Sequence, residues 1–325
     1  MKEYFELRTG QKMPAVGLGT GKLGLGSNPE EFNKVVENAL DLGYRHFDTA
    51  TRYGNEHLLG SALKKWTGSD QRKRDELFIV TKLPVNGMNK DLVVQFLEAS
   101  LKRLQIDYVD LYLIHWPIGL QFVNEDEFVP RDKNGNLLFD FSTNISAIWE
   151  VMESMVDCGK AKAIGLSNFN QEQIERILKS CRIPPANLQV EVHAYFQQKS
   201  LREFCARNDI QICAYAPLAS PFRQNYPNAA DLNIPALLSD PVVQDIAKFH
   251  EKTAAQILLR YLVQELSVAV IPKTCNVTRL RENIEVFDFE LTSTDLERLS
   301  ELDRGENGRT WNSFDGAMKH PECPF

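Results

Sequence analysis

The chain is 325 residues long, with 43% hydrophobic residues and a formal net charge of -7. That hydrophobic share excludes a disordered chain and suffices for a large core. The acidic balance argues against a broad nucleic-acid surface, and no apolar run approaches the roughly 20 residues that a membrane helix requires. The N-terminus MKEYFELRTGQ is too polar for a signal peptide, and the C-terminus HPECPF is not a sorting signal, so the expected location is cytoplasmic. Cys158, Cys181, Cys205, Cys213, Cys275 and Cys323 form no CxxC pair and are expected as reduced thiols.

Residues 3–13 read as a small hairpin around Thr9-Gly10, placed to close the bottom of a larger sheet. A short strand, PAVGLG, spans 14–19. The stretch 29–43 puts Phe32, Val35, Val36, Ala39 and Leu40 on one helical face and stops at Gly43. Strand YRHFD (44–48) and a helix from Asn55 to Trp66 come next, then strand LFIVTKL (77–83) and a helix over 89–105. Strand 108–117 alternates until Pro117 stops it, and a long polar segment with a DKNG turn covers 118–142. Then come helix 143–158, strand AKAIGLS (161–167), helix 171–179, strand LQVEVHA (188–194), helix 198–208 and strand QICAYAP (211–217). A second long loop spans 218–238. Helices 239–249 and 253–265 lead to strand SVAVIPK (267–273) and to helices near 276–285 and 293–303.

Eight strands separated by helical patterns predict an α/β fold, a closed (β/α)8 TIM barrel with an N-terminal β-hairpin, as one domain over 1–325. A doubly wound sheet is the competing architecture. It usually announces a GxGxxG turn attached to a helix, and Gly17, Gly19, Gly21, Gly24 and Gly26 do not fit that spacing.

In a barrel, chemistry collects at the carboxyl ends of the strands. Those ends carry Asp48 with Tyr53 just beyond, Lys82, His115, Ser167 and Asn168, Gln189 with Glu191 and His193, Tyr215, and Lys273. Asp48, Tyr53, Lys82 and His115 can form one acid–base group. A phenol is a weak acid, with an ordinary pKa of about 10, unless a neighbouring ammonium stabilises its phenolate. A carboxylate keeps that ammonium charged and oriented, and a neutral histidine can hydrogen-bond a carbonyl oxygen. The set suits proton delivery to a carbonyl that receives hydride. Taken singly, each residue reads more readily as packing, a turn cap or a solvated charge. No HExxH, clustered cysteine set or GxSxG elbow is present, so no metal site is expected. Glu191 and Asp48 as a glycosidase pair remain a hydrolase alternative.

The ordered motifs GLGT (17–20), YRHFDTA (44–50) with Tyr53-Gly54-Asn55-Glu56, TK (81–82), DLYLIHWP (110–117), GLSNF (165–169), LQVE (188–191), YAPL (215–218), and IPK (271–273) with RLRENIEVFDF (279–289) cover almost the whole chain. Together they resemble the aldo-keto reductase family. The resemblance implies a monomeric barrel that uses NADPH/NADP+ to reduce a small-molecule carbonyl. It implies Asp48, Tyr53, Lys82 and His115 as the catalytic tetrad, with Tyr53 as general acid. Ser167, Asn168 and Gln189 would hold the nicotinamide carboxamide, and Tyr215 would stack on its ring. Further cofactor contacts are implied at Gly19, Thr20, Asp48, Ala216, Pro217 and Leu218. Lys273, Thr274, Asn276 and Arg279 match the surroundings of the 2'-phosphate, and Glu282 and Asn283 match the adenine contacts. A non-catalytic nicotinamide-binding barrel, of the channel-subunit or lens type, is the alternative.

Departures from the family concern the substrate. Aldose reductases carry tryptophan after GLGT and again shortly after TKL; here Gly21 and Pro84 stand there. Both changes are expected to open the pocket, with Tyr53, His115, Trp116, Phe122, Phe222 and Trp311 lining it. Phe139, Phe141, Tyr226, Phe314 and Phe325 serve equally well as loop anchors. An open apolar pocket suits a bulky flat ketone or a long-chain aldehyde better than a sugar. The glycine-rich 21–26 stretch resembles insect members of the family, some of which reduce a 3-keto ecdysteroid.

Overall fold

Strands β1 (Tyr4–Glu6) and β2 (Lys12–Pro14) pair antiparallel, with Phe5 opposite Met13. Both of these side chains are buried, and the turn between the strands places Gly10 at φ +80°. The hairpin therefore has one apolar face to cover. It covers the bottom of the sheet: Asn187 lies against the Met13 sulfur, and the His46 ring contacts the Pro14 carbonyl. The molecule is described by a computed structural model over residues 3–21, 23, 28–221, 234–311 and 316–325.

Eight parallel strands make up the main sheet: β3 (Leu18–Gly19), β4 (His46–Asp48), β5 (Phe78–Leu83), β6 (Leu111–Ile114), β7 (Ile164–Ser167), β8 (Asn187–Glu191), β9 (Gln211–Tyr215) and β10 (Ala269–Val270). Each is hydrogen-bonded to its neighbours in chain order. The first and last meet through a parallel bridge between Val16 and Val270. Gly17 N–H donates to the Val270 carbonyl (2.8 Å), Val270 N–H to Ala15 (2.8 Å) and Gly19 N–H to Pro272 (3.1 Å). The sheet thus closes into a barrel. The GLG of the first motif has a steric reason: a Cβ on Gly17 would lie 2.6 Å from the His46 ring, and one on Gly19 would lie 2.7 Å from the Ile271 carbonyl.

Helices α1 (Pro29–Asp41), α2 (Glu56–Thr67), α3 (Gln71–Glu76), α4 (Val93–Leu104), α5 (Ile145–Asp157), α6 (Gln171–Leu178), α7 (Lys199–Arg207), α8 (Pro241–His250), α9 (Ala254–Gln264), α10 (Val277–Ile284) and α11 (Ser293–Ser300) lie between and after the strands. Their starts are written in the sequence. Asn28, Asn144 and Asn276 accept a hydrogen bond from the first turn, and Asn170, Thr253 and Thr292 each complete a capping box. Helix α3 is an addition to the expected elements, because QRKRDE has no apolar period to reveal it. It is held by its Asp70 cap and by Arg74, which is buried against the Leu77 and Tyr108 carbonyls and the Asp110 carboxylate. The helix expected from residue 89 begins instead at Val93, because the Asn89 side chain takes the Asp91 N–H in a turn. The ladders are shorter than the apolar runs, since the chain leaves its neighbour at each rim while it is still buried. No helix of the described residues is long and apolar enough to cross a membrane.

Candidate active site

Strand β4 ends at Asp48, and a 3-10 turn, Thr51–Tyr53, comes after it. Thr51 points inward: its hydroxyl donates to the Lys82 carbonyl (3.2 Å) and pairs with Ser100 (3.0 Å). Gly54, at φ +67°, ends the turn. The buried Asn55 amide reaches back to the Thr20 and Leu23 carbonyls, each at 2.9 Å. The phenol is thereby returned to the same rim as the carboxylate five residues earlier.

Lys82, fully buried near the end of β5, places Nζ 2.6 and 2.7 Å from the two Asp48 oxygens and 2.9 Å from the Thr49 carbonyl. Burial opposes the ammonium, but Asp48 and Tyr53 outweigh it, and the Lys82 pKa lies above its ordinary value. The lysine stays charged. Its Nζ sits 5.2 Å from the Tyr53 ring centroid. Burial raises the Tyr53 pKa and Lys82 works against that rise, so the free site keeps the phenol protonated at neutral pH. The His115 ring meets the Tyr53 ring edge-on at 5.7 Å. Burial, then Lys82 and Arg52, hold His115 well below its usual pKa, so the imidazole is neutral. Its Nδ1 has no hydrogen-bond partner among the described residues. The four residues read as one acid–base group are together.

The neighbouring strand ends add detail that the sequence does not carry. Gln189 donates to Asp48 Oδ2 at 2.7 Å, so it fixes the carboxylate's second oxygen. Asn168, at φ +61°, donates to the His115 carbonyl (3.0 Å) and to the Ser167 hydroxyl (3.2 Å), and accepts from the Tyr215 hydroxyl (2.8 Å). These bonds tie β6, β7 and β9 together at the mouth and leave the Tyr215 ring half-exposed. Thr20 is buried, and its hydroxyl donates to the Asp48 carbonyl at 2.9 Å.

Glu191 is not part of a hydrolytic pair. Its buried carboxylate accepts from Thr310 N–H (2.8 Å), the Thr310 hydroxyl and Trp311 N–H (2.9 Å), with His193 at 3.0 Å. Asp48 is likewise bound to Lys82 and Gln189, so neither carboxylate is placed to act on a glycoside. Glu191 instead anchors the C-terminal segment. Trp311 continues the connection, its indole N–H donating to Ser220 Oγ at 3.0 Å. Ser220 lies on the chain leaving β9, where Ala216, Ala219 and Ser220 all have positive φ.

The expected substrate wall is only partly assembled. Trp116 is buried in a small apolar cluster with Val85, Ile118, Leu120, Leu137 and Ala317, and packs edge-on to Phe325 at 5.8 Å. Phe122 packs against Phe96 of α4, on the outer layer of the barrel. Phe139 and Phe141 pack on the His320 ring, which joins the 118–142 loop to the C-terminal segment. Gly21 approaches Tyr53 closely: a Cβ there would sit 3.3 Å from the ring. Phe222, Tyr226 and Phe314 lie outside the described residues. Pro84 opens a 3-10 turn, Val85–Gly87, beyond β5.

At the other side of the mouth, β10 leads straight into α10. Lys273, Asn276 and Arg279 are exposed around the α10 N-terminus, with Thr274 half-buried among them. Two cations beside the N-terminus of a helix form a donor set that fits the 2'-phosphate of NADPH. Glu282 is half-buried one turn further on, and Asn283 is buried beside it.

The aldo/keto reductase family model matches residues 15–304. The chain belongs to this family. It is 41% identical over 323 residues to aldo-keto reductase family 1 member C1 of Macaca fuscata fuscata, covering 97% of this chain and 96% of that protein. It is 40% identical over 327 residues to prostaglandin F synthase 1 of Bos taurus, covering 98% and 96%. The solved aldose reductase of Schistosoma japonicum superposes with a TM-score of 0.87 at 39% identity, covering 99% of this chain and 98% of that one. As an aldo-keto reductase, the protein is an NADPH-dependent oxidoreductase acting on carbonyl compounds.

Proposed function

We propose that this aldo-keto reductase reduces bulky aldehydes and ketones with Tyr53 as the general acid. The observation that carries the reading is the fully buried Lys82 ammonium, held on both Asp48 oxygens with the Tyr53 ring beside it. Bound NADPH supplies the hydride. The protein's part is to bind, orient and move a proton. Asp48 and Gln189 fix the lysine's position. Lys82 favours the phenolate that remains once Tyr53 has given its proton to the carbonyl oxygen. His115, kept neutral, can donate to the same oxygen without competing as a cation. Tyr215 offers its half-exposed ring to the nicotinamide, and Ser167 and Asn168 stand beside it. Lys273, Thr274, Asn276 and Arg279 take the 2'-phosphate, with Glu282 and Asn283 toward the adenine.

The protein acts as a single-domain monomer in the cytoplasm on this reading. Gly21 and Pro84, small where aldose reductases carry large rings, support a bulky substrate. A 3-keto ecdysteroid is one such ketone to assay, and a prostaglandin-like ketone is another, given the relative named for that activity. The test is Tyr53→Phe. It should lower NADPH-dependent carbonyl reduction by about 10²–10⁴-fold while NADPH binding, followed by fluorescence titration, stays close to wild type. Unchanged turnover removes Tyr53 from its role. A wild-type protein that binds NADPH and reduces no carbonyl would be the non-catalytic barrel.

A further inference from the structure

Glu56 opens α2 shortly after Tyr53, and its carboxylate is buried. Burying a charge is costly unless hydrogen-bonding partners replace its water. Among the described residues, three groups do so. One carboxylate oxygen accepts from the Thr81 hydroxyl of β5 at 2.6 Å. The other accepts from Arg103 Nε at 2.7 Å and from the Ser100 hydroxyl at 3.2 Å, both on α4. Arg103 by itself would pair the charge and join α2 to α4. The two hydroxyls lead elsewhere.

Thr81 is the chain neighbour of Lys82. Side chains alternate along a strand, so Thr81 faces the helices while Lys82 faces the barrel interior. Ser100 lies 3.0 Å from the hydroxyl of Thr51, in the turn that carries Tyr53. The Ser100 proton goes to the carboxylate, and its oxygen accepts from Arg103 Nη2 at 3.2 Å. Thr51 is therefore the donor in its contact with Ser100, and shares its single proton with the Lys82 carbonyl at 3.2 Å. The chain of bonds runs from Thr51 through Ser100 to Glu56. Thr51, Thr81 and Ser100 are buried, as is Tyr112, in register with Thr81 on β6, and such bonds are stronger away from water.

We propose that Glu56 is a positioning residue for proton transfer: from behind β5, its carboxylate holds the turn of Tyr53 and the strand of Lys82 in fixed register, and so keeps the phenol beside its ammonium. Glu56 touches neither the substrate nor the reacting atoms. It acts through Thr81 on one side and through Ser100 and Thr51 on the other. The proposal rests on the reading of Tyr53 as general acid. It gives the turn between Asp48 and α2 a second support, on the face of β5 opposite the Lys82 ammonium.

The experiment follows single-turnover reduction of 4-nitrobenzaldehyde by enzyme-bound NADPH, in H2O and in D2O, for wild type and Glu56→Gln. Misplacing a catalytic group slows the chemical step without touching binding. Glu56→Gln should therefore slow the single turnover by about tenfold or more and enlarge its solvent isotope effect. NADPH affinity and the carbonyl KM should stay within about twofold of wild type. Thr81→Val and Ser100→Ala, each removing one arm, should show smaller losses of the same kind. A purely structural carboxylate predicts otherwise: melting temperature falls, while the rate and isotope effect of the folded protein stay at wild type. That result overturns the proposal, as does a loss carried by binding or a slower turnover with an unchanged isotope effect. Glu56→Gln with Arg103→Met removes the unpaired charge and should recover stability while turnover stays slow; recovery of both overturns it too. If Glu56→Gln does not fold, Thr81→Val and Ser100→Ala decide the matter. Wild-type behaviour in these variants beside an inactive Tyr53→Phe sinks only this proposal, whereas an active Tyr53→Phe removes the reading beneath it.

Discussion

Lys82 ties stability to the proposed chemistry in one residue. Its ammonium has no solvent, so its charge is sustained by Asp48 and the Thr49 carbonyl. Breaking a buried pair from one side leaves an uncompensated charge, which typically costs about 3–5 kcal/mol. Asp48→Asn should therefore lose about that much stability in denaturant titration, besides losing turnover. Asp48→Asn with Lys82→Met should lose less than the two single variants summed; strict additivity would mean that the pair is not coupled. Arg279 acts at the same scale. It stands with Lys273 at the α10 N-terminus, so Arg279→Ala should weaken NADPH by about tenfold and NADH hardly at all, a size typical of a charged hydrogen bond. Parallel titrations with the two cofactors measure this, and equal losses would remove the phosphate role. The grouping of Asp48, Tyr53, Lys82 and His115 was legible because strand runs end in polar residues that a barrel must gather at one rim. The bond from Gln189 to Asp48 was not, because no local pattern links residues so far apart in the chain.

Among the elements, the C-terminal segment is held less by its own structure than by a carboxylate on β8. In sequence, Glu191 offers itself as an acid for hydrolysis. A strand-end carboxylate looks the same there whether it faces a substrate or a backbone amide 119 residues away. Its bonds to Thr310 and Trp311, and that of Trp311 to Ser220, link β8, the C-terminal segment and the chain leaving β9. The expected consequence is coupling. Trp311→Phe and Ser220→Ala each remove one side of the same hydrogen bond and should each raise the carbonyl KM by about threefold. The double variant should be no worse than either single. Multiplying effects in steady-state kinetics would show that the bond does not act as a unit. Helix and strand positions were mostly readable from period and caps. Helix α3 was not, because its inward anchor is a charged residue, Arg74, whose partners Tyr108 and Asp110 arrive from the next strand.

For the molecule as a whole, the bottom of the barrel sets a limit at acid pH. His46 is fully buried between the hairpin and β3, with Nδ1 3.1 Å from the Pro14 carbonyl and no partner for Nε2 among the described residues. Burial pushes its pKa down to about 4. Between its ordinary value of about 6.5 and that depressed value, the unfolded chain binds a proton that the folded chain refuses. Stability therefore falls as pH is lowered through this window, by on the order of 3 kcal/mol at its lower end. His115 pulls in the same direction. His46→Gln should flatten the loss of thermal stability between about pH 6.5 and 4 without abolishing it. An unchanged slope would assign the acid sensitivity elsewhere. The fold class was legible from eight alternating units. The particular contacts that close the barrel were not, because they join backbone groups at opposite ends of the chain.

That closure has a temporal side. A ribosome delivers about 5–20 residues per second, N-terminus first. Strand β3 therefore emerges long before Val270 exists to pair with Val16, and one edge of the growing sheet waits on the order of tens of seconds for its partner. Its brevity is protective: two residues of regular ladder offer little for another nascent chain to join. The segment that ends the wait, 269–279, also brings Lys273 and Arg279 to the rim. During synthesis, a chain that has not reached residues 269–279 can thus not seal its sheet, and it also lacks the two cations proposed to hold the dinucleotide's phosphate.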